Sequence, residues 1–349
     1  MSIEHRLRST VAAVASLVLA VGLVPRPASA QYKITKLTSN LSGIATATDS
    51  NLVNAWGLTF APGGPFWISA NGTGVSTIYN SQGATQFGPI AVPPAAGNST
   101  GSPTGIVYNA SSEFVVSQNG LSGSAIFLFD TLDGTISGWS PSVNSASAVI
   151  AVDNSSTGAV YTGLAIATTS SGSFLYAADN KNDWVAMYDG SFNLVQLITD
   201  STIPSTFTPF GVQNINNQIY VTYANVTGGG GGYVDIFDTS GTFVSRFTSG
   251  TPLNQPWGVA LAPSNFGQAS NEILIGNNIP TGTINAFNAT SGKVTGALRG
   301  SNGQPLEINQ LWAIAFGGGS SSDGATNQLF FTAGPKNFSD GLFGVINSK

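Results

Sequence analysis

Two sets of residues in this chain have the types and spacing to handle a ligand. The first is aromatic. Trp56, Phe210, Trp257 and Trp312 stand at one recurring place in the sequence, and Asn54, Asn254 and Gln310 lie just upstream of the tryptophans. An aromatic ring can pack on the apolar face of a sugar while neighbouring amides bond its hydroxyls. The second set consists of loop amides and carboxylates: Asn71, Asp130 and Asp133, Asp179-Asn180 with Asn182-Asp183, Asn225, Asn277-Asn278 and Lys336-Asn337. Oxygens of this kind converging on one point would hold a hard cation such as calcium, with Asp179, Asn180, Asn277 and Asn71 as the leading set. Each set has a plainer alternative. Rings at a repeated position also fill wedges between packed sheets, and Asn and Asp also serve tight turns, where their side chains bond the local backbone.

Most other site chemistry is excluded by composition. The chain has no cysteine, and its single histidine, His5, lies in the first thirty residues, so residues 31–349 contain none. That removes Ser-His-Asp and Cys-His nucleophilic sites and imidazole-based zinc sites together. Any hydrolytic chemistry would need a carboxylate as its base. Five glycines at 228–232 are followed by no helix and no Lys-Ser/Thr, so they read as a hairpin tip and not as a phosphate loop.

The elements that must position these residues follow from a repeat. A small turn leads into an aromatic or small residue, then glycine and an apolar run. The pattern reads Trp56-Gly57-Leu58, Thr104-Gly105-Ile106, Thr162-Gly163-Leu164, Phe210-Gly211-Val212, Trp257-Gly258-Val259 and, with alanine for glycine, Trp312-Ala313-Ile314. The gaps between glycine positions are 48, 58, 48, 47 and 55 residues. Periods of this size, filled with short strands separated by Gly, Asn, Ser and Pro turns, predict an all-β chain folded as a six-bladed β-propeller. The glycine falls on the innermost strand, where backbones converge and a missing Cβ permits close approach.

Two irregularities bear on the ring. The second repeat has one strand too many, with candidates at 113–117, 125–129, 135–139 and 148–152. Matching Gly134-Thr135-Ile136 to Gly282-Thr283-Ile284 makes 113–117 an insertion, although the opposite alignment stays open. The sixth repeat lacks an outermost strand, while 32–37 forms a strand with no blade of its own. The N-terminal strand is therefore expected to complete the last blade and close the ring, hiding edges that would otherwise pair with other molecules.

The first thirty residues read as a secretion signal: Arg6 and Arg8, a 14-residue apolar run at 11–24, and the small-residue site Ala28-Ser29-Ala30. The run is too short to span a bilayer, which takes about 20 apolar residues. Residues 31–349 then form a single propeller domain. Their charge is 8 basic against 15 acidic, a formal −7, and charged residues make up only 8% of the chain. Nucleic acid is an improbable partner, because phosphate binding needs clustered Lys and Arg. A coat of Ser, Thr, Asn and Gly fits an exported protein that meets polymers or hydroxylated surfaces, and a monomer is the expected state.

The blades resemble NHL-type repeats, as in Leu175-Tyr176-Ala177-Ala178-Asp179-Asn180 followed by a strand ending Tyr188-Asp189. Residues 31–349 as a whole resemble an uncharacterised family of exported propeller proteins known mainly from bacteria. The stretches that carry this are Asn51-Leu52-Val53-Asn54-Ala55-Trp56-Gly57-Leu58, Asp133-Gly134-Thr135-Ile136-Ser137-Gly138-Trp139, Gly282-Thr283-Ile284-Asn285-Ala286-Phe287 and Phe331-Thr332-Ala333-Gly334-Pro335. The sequence ends at Ser348-Lys349 without the hydrophobic sorting tail of some members, which favours release over anchoring. The resemblance implies a fold and no established activity.

Three functions remain. The chain is expected to be an exported, non-catalytic propeller that binds an extracellular ligand, such as a carbohydrate polymer, at the channel mouth through Trp56, Asn54, Phe210, Asn254, Trp257, Gln310 and Trp312. The alternative is a calcium-assisted hydrolase or lactonase in which Asp179, Asn180, Asn277 and Asn71 hold the cation. The third is a structural envelope component. Tryptophan concentrates in repeats one, five and six and acidic loop residues in two and three, so a site is expected where those two arcs meet.

Overall fold

The computed structural model describes residues 31–349; the expected signal peptide lies outside them. Six antiparallel sheets form the blades of a propeller. Their inner strands are Ala55–Phe60, Pro103–Tyr108, Tyr161–Thr169, Phe207–Ile215, Pro256–Leu261 and Leu311–Phe316, each beside the next and the last beside the first. Apolar clusters lie between neighbouring blades: Leu128, Ile136, Leu164, Leu175 and Tyr188 join blades 2 and 3, and Leu274, Ile284, Leu311 and Leu329 join blades 5 and 6.

The ring closes as expected. Tyr32–Ser39 pairs antiparallel with Leu342–Ser348 as the outer strand of blade 6, in a register running from Tyr32↔Ser348 to Ser39↔Leu342. Tyr32 adds a tie to blade 5, its hydroxyl donating to the Phe266 carbonyl at 2.8 Å. Ala47–Thr48 then lies parallel on the new strand, an addition the sequence did not announce. In blade 2, Phe127–Thr131 is the second strand. The extra strand, Val115–Gln118, forms a hairpin with Leu121–Ser124 outside the blade, so the insertion alignment is the one adopted.

The repeated aromatic-glycine step is a β-bulge. In all six blades the register between inner and second strand shifts by one residue there, for example between Ala55↔Ala70 and Leu58↔Ile68, and likewise in the other five. The bulge presses the glycine against the next blade. A Cβ on Gly57 would overlap the Thr104 carbonyl oxygen, one on Gly211 the Trp257 carbonyl oxygen, and one on Gly258 would stand 2.6 Å from the Trp312 carbonyl oxygen. Side chains of the second strand satisfy the bulged N–H groups. Thr222 Oγ1 accepts from Gly211 N at 2.9 Å and Thr332 Oγ1 from Ala313 N at 3.0 Å.

Blade 2 uses a carboxylate for this task. Asp130 Oδ1 accepts from Gly105 N at 2.5 Å and Thr104 Oγ1 at 2.7 Å. The residue is fully buried, and desolvation pushes its pKa up to about 6 against these bonds.

Two predictions follow from the bulge. Gly57→Ala and Gly211→Ala should each lower unfolding free energy by about 1–3 kcal/mol, whereas Gly296→Ala, which meets nothing within 4 Å, should be near neutral; equal urea midpoints would refute the close-approach account. Because burial raises the Asp130 pKa above its unfolded value, its contribution favours the fold fully below about pH 4 and is lost as pH rises through about 6. Asp130→Asn should therefore reduce the loss of stability between pH 4 and pH 8 by on the order of 2 kcal/mol relative to the parent. Parallel pH profiles for the two proteins would overturn that assignment.

Candidate functional site

In blades 1, 4, 5 and 6 the bulge turns an aromatic ring toward the axis, and there the aromatic set meets. Trp56 and Trp312 stack with centroids 3.6 Å apart and planes 18° apart. Phe210 lies 5.7 Å and Trp257 5.9 Å from Trp312, although blades 4 and 6 are not neighbours. Trp257 Nε1 reaches across from blade 5 to donate to the Thr162 carbonyl of blade 3 at 2.8 Å. These rings therefore plug the central channel, and they are neither an open rim nor wedges between blades. Below the plug remains a void of about 30 Å3, space for a water molecule and little more.

This placement corrects the expected ligand set. Trp56 and Trp312 are 6% and 2% exposed and cover one another, so neither offers a free face. Phe210 and Trp257 stay half-buried. Asn54 belongs to the plug: its Oδ1 accepts from Trp312 Nε1 at 2.9 Å. Gln310 is buried beside it and donates to Asn337 Oδ1 at 3.3 Å.

Sequence reasoning missed Gln255. Asn54, Gln255 and Gln310 each stand two residues before a tryptophan, and all three hold left-handed φ values of 48°, 52° and 47°. Asn254 is one residue further away and plays a different part. Counting back from each tryptophan would have found the difference.

The expected cation ligands act as clamps. Asn71 Nδ2 donates to the Pro103 carbonyl at 3.2 Å, Asn180 Nδ2 to the Pro209 carbonyl at 3.0 Å, and Asn278 Nδ2 to the Leu311 carbonyl at 3.0 Å. Each joins the end of a second strand to the inner strand of the following blade, from 1 to 2, 3 to 4 and 5 to 6. Asn71 Oδ1 accepts from Asn54 Nδ2, and Asn277 Oδ1 from the backbone N–H of Asn254. Asp179 accepts from Val160 N, Asn182 N and Asn182 Nδ2. Among the described residues no group of three or more His, Cys, Asp or Glu is arranged to hold a metal ion. The four residues do not fit a calcium site: they stand in blades 1, 3 and 5, and Asn71, Asp179 and Asn277 turn side-chain oxygens onto protein N–H groups, which leaves the Oδ1 of Asn180 as the one amide oxygen of the set without a protein donor.

What lies open at the mouth is a depression of about 570 Å3 beside the plug. Phe210 forms an aromatic wall, Asn180 stands on the blade 3 side, and Asn254 and Gln255 come from the connection into blade 5. Asn225, Ile279 and Pro280 complete the wall. It sits between the tryptophan-rich and the acidic arcs of the ring. Asn180 has both amide hydrogens engaged, by Thr208 Oγ1 and the Pro209 carbonyl, which leaves its Oδ1 as an acceptor. Gln255 Nε2 donates to the Asn225 carbonyl at 2.7 Å, which likewise leaves its Oε1. None of the residues lining the depression is ionisable.

With this geometry in view, relatives can be compared. No family model matches the chain. An uncharacterised protein of Acanthamoeba polyphaga mimivirus is 34% identical over 339 residues, covering 92% of this chain and 82% of its own length. A second uncharacterised protein of the same virus is 31% identical over 339 residues, with 92% and 87% covered. The chain belongs to their family. Among solved structures, the soluble aldose sugar dehydrogenase of Escherichia coli superposes with a TM-score of 0.57 at 12% identity, covering 91% of this chain and 100% of that one. A streptogramin B lyase does so with 0.52 at 13% identity, covering 91% and 98%. At these identities the likeness shows the propeller fold alone.

The clamp assignment has a direct check. Asn180→Ala should cost about 1–2 kcal/mol through its two lost hydrogen bonds, and the Tm of the parent should be the same in EGTA and in millimolar calcium. A calcium-dependent rise of several degrees, lost in Asn180→Ala, would return these oxygens to a cation.

Proposed function

We propose that this protein is a non-catalytic binding propeller whose mouth depression takes a neutral, hydroxylated ligand of carbohydrate type. The observation that carries the reading is the lining: a half-buried phenyl ring with four amide side chains and no ionisable group. A ring beside amides suits a surface with an apolar face and a hydroxyl rim. A lining without charge favours a neutral partner, since an ion would leave water without a counter-charge. Proton transfer has no candidate there, so a hydrolase or lactonase reading finds no acid or base lining this depression. The same proposal places the protein outside the cytoplasm and reads its blades as NHL-like. Export is supported by the leader pattern of Arg6, Arg8, the apolar run at 11–24 and Ala28-Ser29-Ala30, and the blade type by Leu175-Tyr176-Ala177-Ala178-Asp179-Asn180 with Tyr188-Asp189.

The test is affinity electrophoresis and pull-down against a panel of neutral polysaccharides. Asn254→Ala is the informative variant, because its side chain makes no hydrogen bond among the described residues and its loss should leave the fold intact. Retention by one neutral polymer, weakened roughly tenfold by Asn254→Ala and abolished by Phe210→Ala, is expected. Retention of the parent by none of the polymers, or equal retention of parent and both variants, would sink the reading.

A further inference from the structure

Blade 6 carries a second cavity, of about 350 Å3, within the range of about 300–1,000 Å3 typical of small-molecule sites. It arises from the ring closure. Ile34 and Lys36 share a face of the N-terminal strand, and the register shift between Lys36 and Thr38 brings Ser39 to the same side. The partner of Lys36 in the neighbouring strand is Gly344, whose missing side chain lets the Phe331 ring lie over it and floor the cavity. Leu41 and Ile44, in the loop between the closing strand and Ala47–Thr48, form one wall. Ile308, from the connection between blades 5 and 6, and Leu342 form the other.

The charges at this cavity select a ligand class. Lys336 Nζ is paired with Asp340 Oδ2 at 2.9 Å, so these two neutralise each other. Lys36 and Glu307 also line the cavity, both exposed, and neither has an ion-pair partner among the described residues. An apolar chamber thus has one free cation and one free anion. A ligand with a single charge would be attracted by one and repelled by the other. We propose that this cavity binds a small zwitterion with an apolar body, of the class of apolar amino acids, its carboxylate on Lys36 and its ammonium on Glu307. The bound molecule bridges the N-terminal strand, its following loop, blade 6 and the connection from blade 5. Binding therefore fastens the closure of the ring and raises its stability by mass action.

The experiment uses the full chain, calorimetry and thermal shift, with L-phenylalanine as probe and 3-phenylpropanoate and 2-phenylethylamine as its single-charge analogues. Saturable binding of phenylalanine at millimolar concentration is expected, with a rising Tm, and each analogue weaker by roughly tenfold. Lys36→Gln should cost affinity for phenylalanine and 3-phenylpropanoate but not for the amine, and Glu307→Gln the reverse. Ile44→Glu, at a 46% exposed position, should abolish binding without unfolding the protein, and should leave polysaccharide retention at the mouth unchanged. Absence of saturable phenylalanine binding, or analogues that bind as well as the zwitterion, would overturn the proposal whatever the polysaccharide result.

Discussion

The close approach of six inner strands at one bulged step governs this molecule. Where Gly57, Gly211 and Gly258 press on the backbone of the following blade, there is no space for a side chain. The residue before the glycine has two ways out: Thr104 turns its hydroxyl onto Asp130 and the Tyr161 carbonyl, while the aromatic side chains go to the axis. The channel therefore narrows at one level, and whatever precedes the glycine decides whether it stays open. In blades 1, 4, 5 and 6 that residue is aromatic, and the four rings close the channel. Blades 2 and 3 contribute threonines, and the Thr162 carbonyl receives the Trp257 indole.

Closing the axis moves the available chemistry outward. The amides near the mouth divide into those that hold blades together and those that face solvent. Asn71, Asn180 and Asn278 clamp alternate blade junctions through the same bond, from a side-chain amide to the inner-strand carbonyl just before the bulge of the next blade. Hydrogen bonds of this kind satisfy backbone groups that would otherwise be stranded between blades. Asn254 and the oxygens of Asn180 and Gln255 are left over, and they surround the Phe210 wall. Depression and scaffold share Asn180, whose amide hydrogens hold blade 3 to blade 4.

The closure of the ring makes a different environment within the same blade layer. Pairing the N-terminal strand with Leu342–Ser348 buries Tyr32 and Leu37. The same pairing sets Lys36 opposite Gly344, over which the Phe331 ring lies as the floor of an apolar chamber beside the seam. The depression at the mouth is amide-lined and uncharged, whereas the seam is apolar with charges of both signs at its edge.

The sequence alone determined what is local and periodic. The glycine spacing encodes six blades because each blade packs only on its neighbours, and a strand missing at one end with a spare at the other encodes the closure. Gly134-Thr135-Ile136 pointed to the inserted strand of blade 2 but left the opposite alignment open, and the strand pairing decided between them. Only the tertiary structure decided what depends on angle around the ring. Trp56 and Trp312 are 256 positions apart in sequence yet face each other across one blade junction. No spacing rule says that they stack, or that Trp257 crosses the axis to blade 3. The same holds for Asn71 and Asn180, whose partners lie in the next blade, and for Lys36 over Gly344. A repeat fixes which residues occupy equivalent places; which equivalent places touch is set by the closure of the ring, a constraint on the whole chain.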